Sequence, residues 1–132
     1  MLAVMLAAAP VPAAGDTRFP FDLELLMEAA PIPPGKRMPA IKVSPNGGAV
    51  IDLWCRSVRA TVAIGEGTVA IAAEPLPESL PAMLSRGQCT DTRIAADERV
   101  LVALTQMTGW RRQGETVIFT GATTLRFRPS DH

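Results

Sequence analysis

The stretch VRATVAIGEGTVAIAA, from Val58 to Ala73, is the plainest structural statement in the chain. Val58, Ala60, Val62 and Ile64 fall on one face, and Arg59 and Thr61 on the other. That two-residue period belongs to a half-buried strand. Gly65-Glu66-Gly67 supplies a turn, and Val69, Ile71 and Ala73 resume the alternation, so the stretch predicts a β-hairpin. Just upstream, Ile41-Lys42-Val43 leads into the turn cluster Ser44-Pro45-Asn46-Gly47-Gly48. Asn-Gly favours the positive φ angles of a tight hairpin, and Ala49 to Cys55 returns as a strand.

Downstream, Glu74 to Leu84 carries Pro75, Pro77 and Pro81 and reads as a loop. Gln88-Cys89-Thr90 begins the next ordered piece. One helix is expected at about 97–108. Asp97 is its candidate N-cap, Val100, Leu101, Leu104 and Met107 form its apolar stripe, and Gly109 is placed to end it. A β-meander then closes the chain. Its strands are Trp110–Arg112, Glu115–Thr120 and Thr123–Arg128, turning at Gln113-Gly114 and Gly121-Ala122. Val117, Phe119, Leu125 and Phe127 face inward, and Arg126 and Arg128 outward. Towards the N-terminus, Phe19 to Ala30 suits either a strand or a short helix. Ala29 to Pro39, with four prolines and Gly35, must be irregular. These elements predict an α+β fold that is mostly antiparallel β: a curved sheet or partial barrel of about seven strands, with one helix covering an end. Ser130 to His132 is expected to fray.

A chain of 132 residues, 48% hydrophobic and 20% charged, is the size of one domain with one packed core. Thirteen basic residues balance thirteen acidic ones. Zero net charge argues against a dedicated nucleic-acid binder. The single histidine, His132, is terminal, which argues against a histidine-based triad or a multi-histidine metal site. Met1 to Ala14, MLAVMLAAAPVPAA, is uncharged and ends in small residues. It reads as the apolar and cleavage regions of a secretory signal peptide, without the usual preceding Lys or Arg. The expected division is a signal peptide over 1–15 and a single domain over 16–132, with no transmembrane span in the mature chain.

Cys55 and Cys89 belong to no CxxC pair, so a zinc site is not expected. An exported chain with two cysteines most simply joins them; two buried free thiols are the alternative. Candidate nucleophiles Ser57, Ser79 and Ser85 lie outside any GxSxG elbow. Of the carboxylate pairs, Asp97-Glu98 suits a helix start, and Glu74 with Glu78 suits a solvated loop. Trp54 and Trp110 stand at strand ends beside apolar runs, where packing explains them better than ligand stacking. Arg111, Arg112, Arg126 and Arg128, with Arg56 and Arg59, are candidates for a basic interaction surface. Ordinary outward-facing strand charge is the competing explanation.

Two stretches carry a resemblance. ADERVLVALTQMTGWRRQGETVIFTGATTLRF, Ala96 to Phe127, resembles the C-terminal half of the META/HslJ-like domain: a helix, a strand, a Gly turn, a strand and a closing strand of the type LxF. AVIDLWCRSVRATVAIGEGTVAI, Ala49 to Ile71, is similar to that family's central hairpin, which follows a Gly-Cys-Asn motif. Trp54 stands where the motif has glycine and Arg56 where it has asparagine. Cys89 falls where the family often has its second cysteine. Phe19 or Phe21 is the nearest aromatic to the family's early tryptophan. The resemblance spans about residues 20–128 and is most specific in the last third. It implies a small exported envelope domain, periplasmic or secreted, linked to stress response, with no mapped catalytic set. The expectation is therefore a non-catalytic envelope protein acting through contacts with another protein, with a Cys55–Cys89 bridge and no cofactor. The alternative is a protease-inhibitor-type binding module that inserts either the loop Glu74–Leu84 or the tail Asp16–Phe19.

Overall fold

The structure, a computed structural model, describes residues 18–28, 38–77 and 89–130. The expected signal peptide, most of the proline-rich connections, Glu78, Ser79, Ser85 and His132 lie outside these residues. Among the described residues eight strands and one helix follow in the order β1 (Leu25–Met27), β2 (Ala40–Val43), β3 (Gly48–Asp52), β4 (Ser57–Ile64), β5 (Val69–Ala73), α1 (Asp91–Thr105), β6 (Met107–Gln113), β7 (Thr116–Gly121) and β8 (Thr124–Pro129).

All the strands belong to one antiparallel sheet ordered β5-β4-β3-β2-β1-β8-β7-β6. The two hairpin-built halves are joined through β1. Its Leu25 pairs with Ile41 on one side, and its Met27 with Phe127 on the other. This short strand, open to two readings in the sequence, is thus central to the sheet and brings the total to eight.

The two end strands approach each other and nearly close a barrel. Thr68 bridges Gly109, and Trp110 N–H donates to the Gly67 carbonyl over 3.2 Å. Gly109 permits this approach, because a Cβ there would lie 2.8 Å from Thr120 Oγ1 and 3.3 Å from the Gly67 oxygen. The chain shifts register between Met107 and Gly109, a bulge that bends β6 at the seam.

Alternation fills the interior. In β4, Val58, Ala60 and Val62 are buried and Arg59, Thr61 and Ala63 exposed. Leu25, Val43, Val117 and Phe119 are fully buried. Each such side chain contributes about 1.5–3 kcal/mol by leaving water. The rings of Phe119 and Phe127 meet edge to face at 5.5 Å and 73°. Leu104 of α1 enters the same core, and α1 packs against β5.

The helix corrects the sequence expectation at both ends. Thr90 is the N-cap, its side chain accepting from Arg93 N–H, and the C-cap is Gln106. Asp97 is therefore well inside α1, and Gly109 is a strand residue that caps nothing. The chain passes from the Gln106 cap into β6 at Met107 with no intervening loop.

Candidate functional site

The strongest concentration of buried polar groups lies where the β3–β4 connection meets α1. Asp97 has no exposed surface. Its Oδ1 accepts from the Trp54 amide at 2.9 Å and the Cys55 amide at 3.4 Å. Its Oδ2 accepts from Arg56 Nε at 3.2 Å. The rest of the Arg56 fork donates to main-chain oxygens, Nη1 to Pro77 at 3.2 Å and Nη2 to Ile94 at 3.0 Å. Arg56 is buried, so it does not join Arg59 on a basic surface as the sequence suggested.

Beside this pair, Cys55 and Cys89 form a disulfide with their Cα atoms 5.7 Å apart. Three consecutive residues, Trp54 to Arg56, are thus fastened to the start of the helix by a covalent bond, an ion pair and main-chain hydrogen bonds. Burial pushes the Asp97 carboxyl above its usual value. The Arg56 guanidinium and the amides of Trp54 and Cys55 pull against that shift. The arrangement holds two segments together. Trp54 packs against the core with its indole Nε1 buried and without a hydrogen-bond partner.

Trp110 has a packing role at the seam. Its Nε1 donates to the Gly65 carbonyl at 2.8 Å, and its ring meets Phe19 edge-on at 5.3 Å and 87°. Phe127 is buried, and Leu125 is half-buried against the core.

The four candidate surface arginines do not form one stripe. Arg111 and Arg126 flank Ile118 across three paired strands, on the outer side of the sheet by alternation from Val117 and Phe119. Arg126 lies 3.7 Å from Glu28, so a carboxylate shares that row. Arg128 pairs with Leu26 on β1. Arg112 pairs with Val117 and belongs to the opposite face. Its Nη1 donates to the Arg18 carbonyl at 2.9 Å and its Nε to that of Gly114 at 3.0 Å.

Ser57 donates to Asp52 on the neighbouring strand. Among the described residues no group of three or more His, Cys, Asp or Glu side chains is placed to hold a metal. No helix among them is long and apolar enough to cross a membrane.

Sequence reasoning missed the Asp97–Arg56 pair, although one signal was available. Asp97 lies three, four and seven positions before Val100, Leu101 and Leu104, on the stripe itself. A charge on an apolar stripe calls for a buried partner. Nothing local identifies Arg56 as that partner. The chain matches no family model, no curated protein and no solved structure in comparisons with each.

Proposed function

We propose that this chain is a non-catalytic exported envelope protein of the META/HslJ-like type, acting through contacts with another protein. The disulfide beside the buried Asp97–Arg56 pair carries this reading. A cysteine pair oxidised within a small β-rich domain suits an oxidising compartment. Asp97 and Arg56, both buried, hold the helix to the barrel and leave exposed strand residues for contacts. The exposed arginines at 111, 126 and 128, with half-buried Leu26 and Glu28 beside them, are the surface on which this reading would place a partner, while Ile118 between Arg111 and Arg126 is fully buried.

In-cell cross-linking of the tagged protein, followed by mass spectrometry, tests the proposal. A single stoichiometric envelope partner is the expected result. Recovery of monomer alone would refute action through a dedicated contact. The same spectrum reads the start of the mature chain: a beginning near Asp16 supports export, and a chain still starting at Met1 would overturn it.

A second reading, the protease-inhibitor-type module, is favoured by one detail. The Arg56 guanidinium donates to the carbonyl of Pro77, which belongs to the loop Glu74–Leu84 that this reading would insert. Fixing part of an inserting loop in advance lowers the ordering cost of binding. Titration against a panel of secreted proteases separates the two, since nanomolar inhibition would replace the first reading by the second.

A further inference from the structure

Helix α1 turns Ala96, Asp97 and Leu104 to the barrel. Its opposite face is exposed at Ala95, Glu98, Arg99 and Val102. These four, with Ala103 and with Thr123 of the β7–β8 turn, help to line an open groove of about 620 Å³. Val102 is 53% exposed, more than Leu23 at 45% or Val50 at 44%.

The spacing is that of a single stripe. With about 100° between successive residues, Ala95 and Val102 lie within about 10° of its midline, and Glu98 and Arg99 about 50° to either side. Neither charge is answered from its own helix. Positions three and four away from Glu98 hold Ile94, Ala95, Leu101 and Val102, and those from Arg99 hold Ala95, Ala96, Val102 and Ala103. Successive helical residues such as Glu98 and Arg99 diverge and do not face each other. Among the described residues no ion pair or side-chain hydrogen bond reaches either of them.

A second copy of the same stripe answers both charges. A two-fold axis parallel to α1 sets each side chain level with its own copy and exchanges the two flanks. Val102 then meets Val102 of the second copy. Glu98 comes opposite Arg99 of the second copy, and Arg99 opposite its Glu98, offset by about 1.5 Å along the axis. An antiparallel pairing keeps each flank on its own side and would bring Glu98 to Glu98 and Arg99 to Arg99. Charge therefore selects the parallel pairing. Asp91, the other exposed acid of the helix, is about 10 Å from Glu98 along the axis, where crossing helices have begun to diverge.

We propose that this chain self-associates as a parallel two-fold dimer through the outer face of α1, with two Glu98–Arg99 ion pairs flanking a Val102–Val102 contact. The face is separate from the arginines of β6 and β8, and its pairing does not depend on the function proposed for them. Two turns of one helix bury less than the ~1,200 Å² of a standard interface, so the dimer is weak and reversible.

Sedimentation equilibrium of the full chain, from about 10 μM to about 1 mM, tests the proposal. A monomer–dimer equilibrium is expected at low salt, weakening as salt is raised. Val102→Asp, Glu98→Arg and Arg99→Glu, all at exposed positions, should each lower the association constant at least about tenfold and leave the melting temperature nearly unchanged. The double variant Glu98→Arg/Arg99→Glu, and an equimolar mixture of the two single charge variants, should associate as wild type does. Orientation is read with Ala95→Cys and a short bis-maleimide, which should link position 95 to position 95, since Cys55 and Cys89 are bonded to each other. A monomer throughout the concentration range, a dimer indifferent to both charge variants, or linkage of Ala95→Cys to Val102→Cys in preference to itself would each overturn the proposal.

Discussion

Replacing Arg56 by methionine tests what holds α1 to the barrel. The side chain is 6% exposed and donates to Asp97, Pro77 and Ile94. Methionine fills much of the same volume and donates to none of them. Asp97, wholly buried, keeps only the two main-chain amides of Trp54 and Cys55. Removing one partner of a buried pair costs about 3–5 kcal/mol, mainly because the remaining charge loses its compensation. For a domain of this size each kcal/mol moves the midpoint by about 4 °C or more, so Arg56→Met lowers the melting temperature by about 12 °C or more. Adding Asp97→Asn should recover part of the loss. The amide oxygen can still accept from Trp54 and Cys55, and no buried charge is left alone. Calorimetric melts of wild type, both single variants and the double variant, with the disulfide intact, complete the cycle. A single variant melting within about 4 °C of wild type, or a double variant no more stable than Arg56→Met, would refute the assignment of the pair as a fastening.

Three further outcomes are expected. Asp97 holds its proton more tightly in the folded chain than in the unfolded one, where its value is near 3.8. Its contribution to stability is therefore complete below that pH and is lost as pH rises through the raised folded value. The stability difference between wild type and Asp97→Asn, measured by urea titration, should grow on acidification; a shrinking difference would place the Arg56 attraction ahead of desolvation. Replacing both cysteines by serine opens a loop with a sequence separation of 34, and should cost about 3–4 kcal/mol in the same titration. Gly121→Ala would set a Cβ against the Gln106 carbonyl oxygen and 2.9 Å from Met107 Cα. Main-chain atoms cannot swing aside, so a loss of about 1–3 kcal/mol is expected, and a melt unchanged from wild type would show that the helix–β6 junction yields.

The sequence was readable where one local rule governed a segment. The alternation in Val58–Ile64 survives as β4, because one face of that strand meets the core and the other meets solvent. The meander is readable for the same reason, although Ile118, on the face opposite Val117 and Phe119, is fully buried as well. The helix was read too short at its start. Asp91, Thr92 and Ala95 are exposed, and a polar first turn carries no apolar period. Asp97 then attracted the cap assignment, since an aspartate ahead of Val100 and Leu101 has the local form of an N-cap. Gly109 attracted the C-cap assignment because a glycine after an apolar stripe has the local form of a helix end. In both cases a contact distant in sequence prevailed: Arg56 lies 41 positions from Asp97, and Thr68 bridges Gly109.

These long-range contacts explain why the barrel closes as it does. β5 and β6 are the two ends of one sheet, and each would present unpaired main-chain groups if left open. The Cys55–Cys89 bond and the Asp97–Arg56 pair secure the first part of α1 to the β3–β4 connection. The Thr68–Gly109 bridge and the Trp110–Gly65 hydrogen bond secure the chain just after the helix ends. Fastened on both sides, α1 has little choice but to lie against β5, where it does pack, and β6 is delivered directly to the seam. The Trp54–Arg56 segment, the turn at Gly65–Gly67 and the two ends of α1 therefore act as one closure device. It follows that the disulfide and the ion pair are not independent: each shortens the distance over which the other must act. Their combined removal should cost something other than the sum of the separate losses, as neighbouring fastenings generally do.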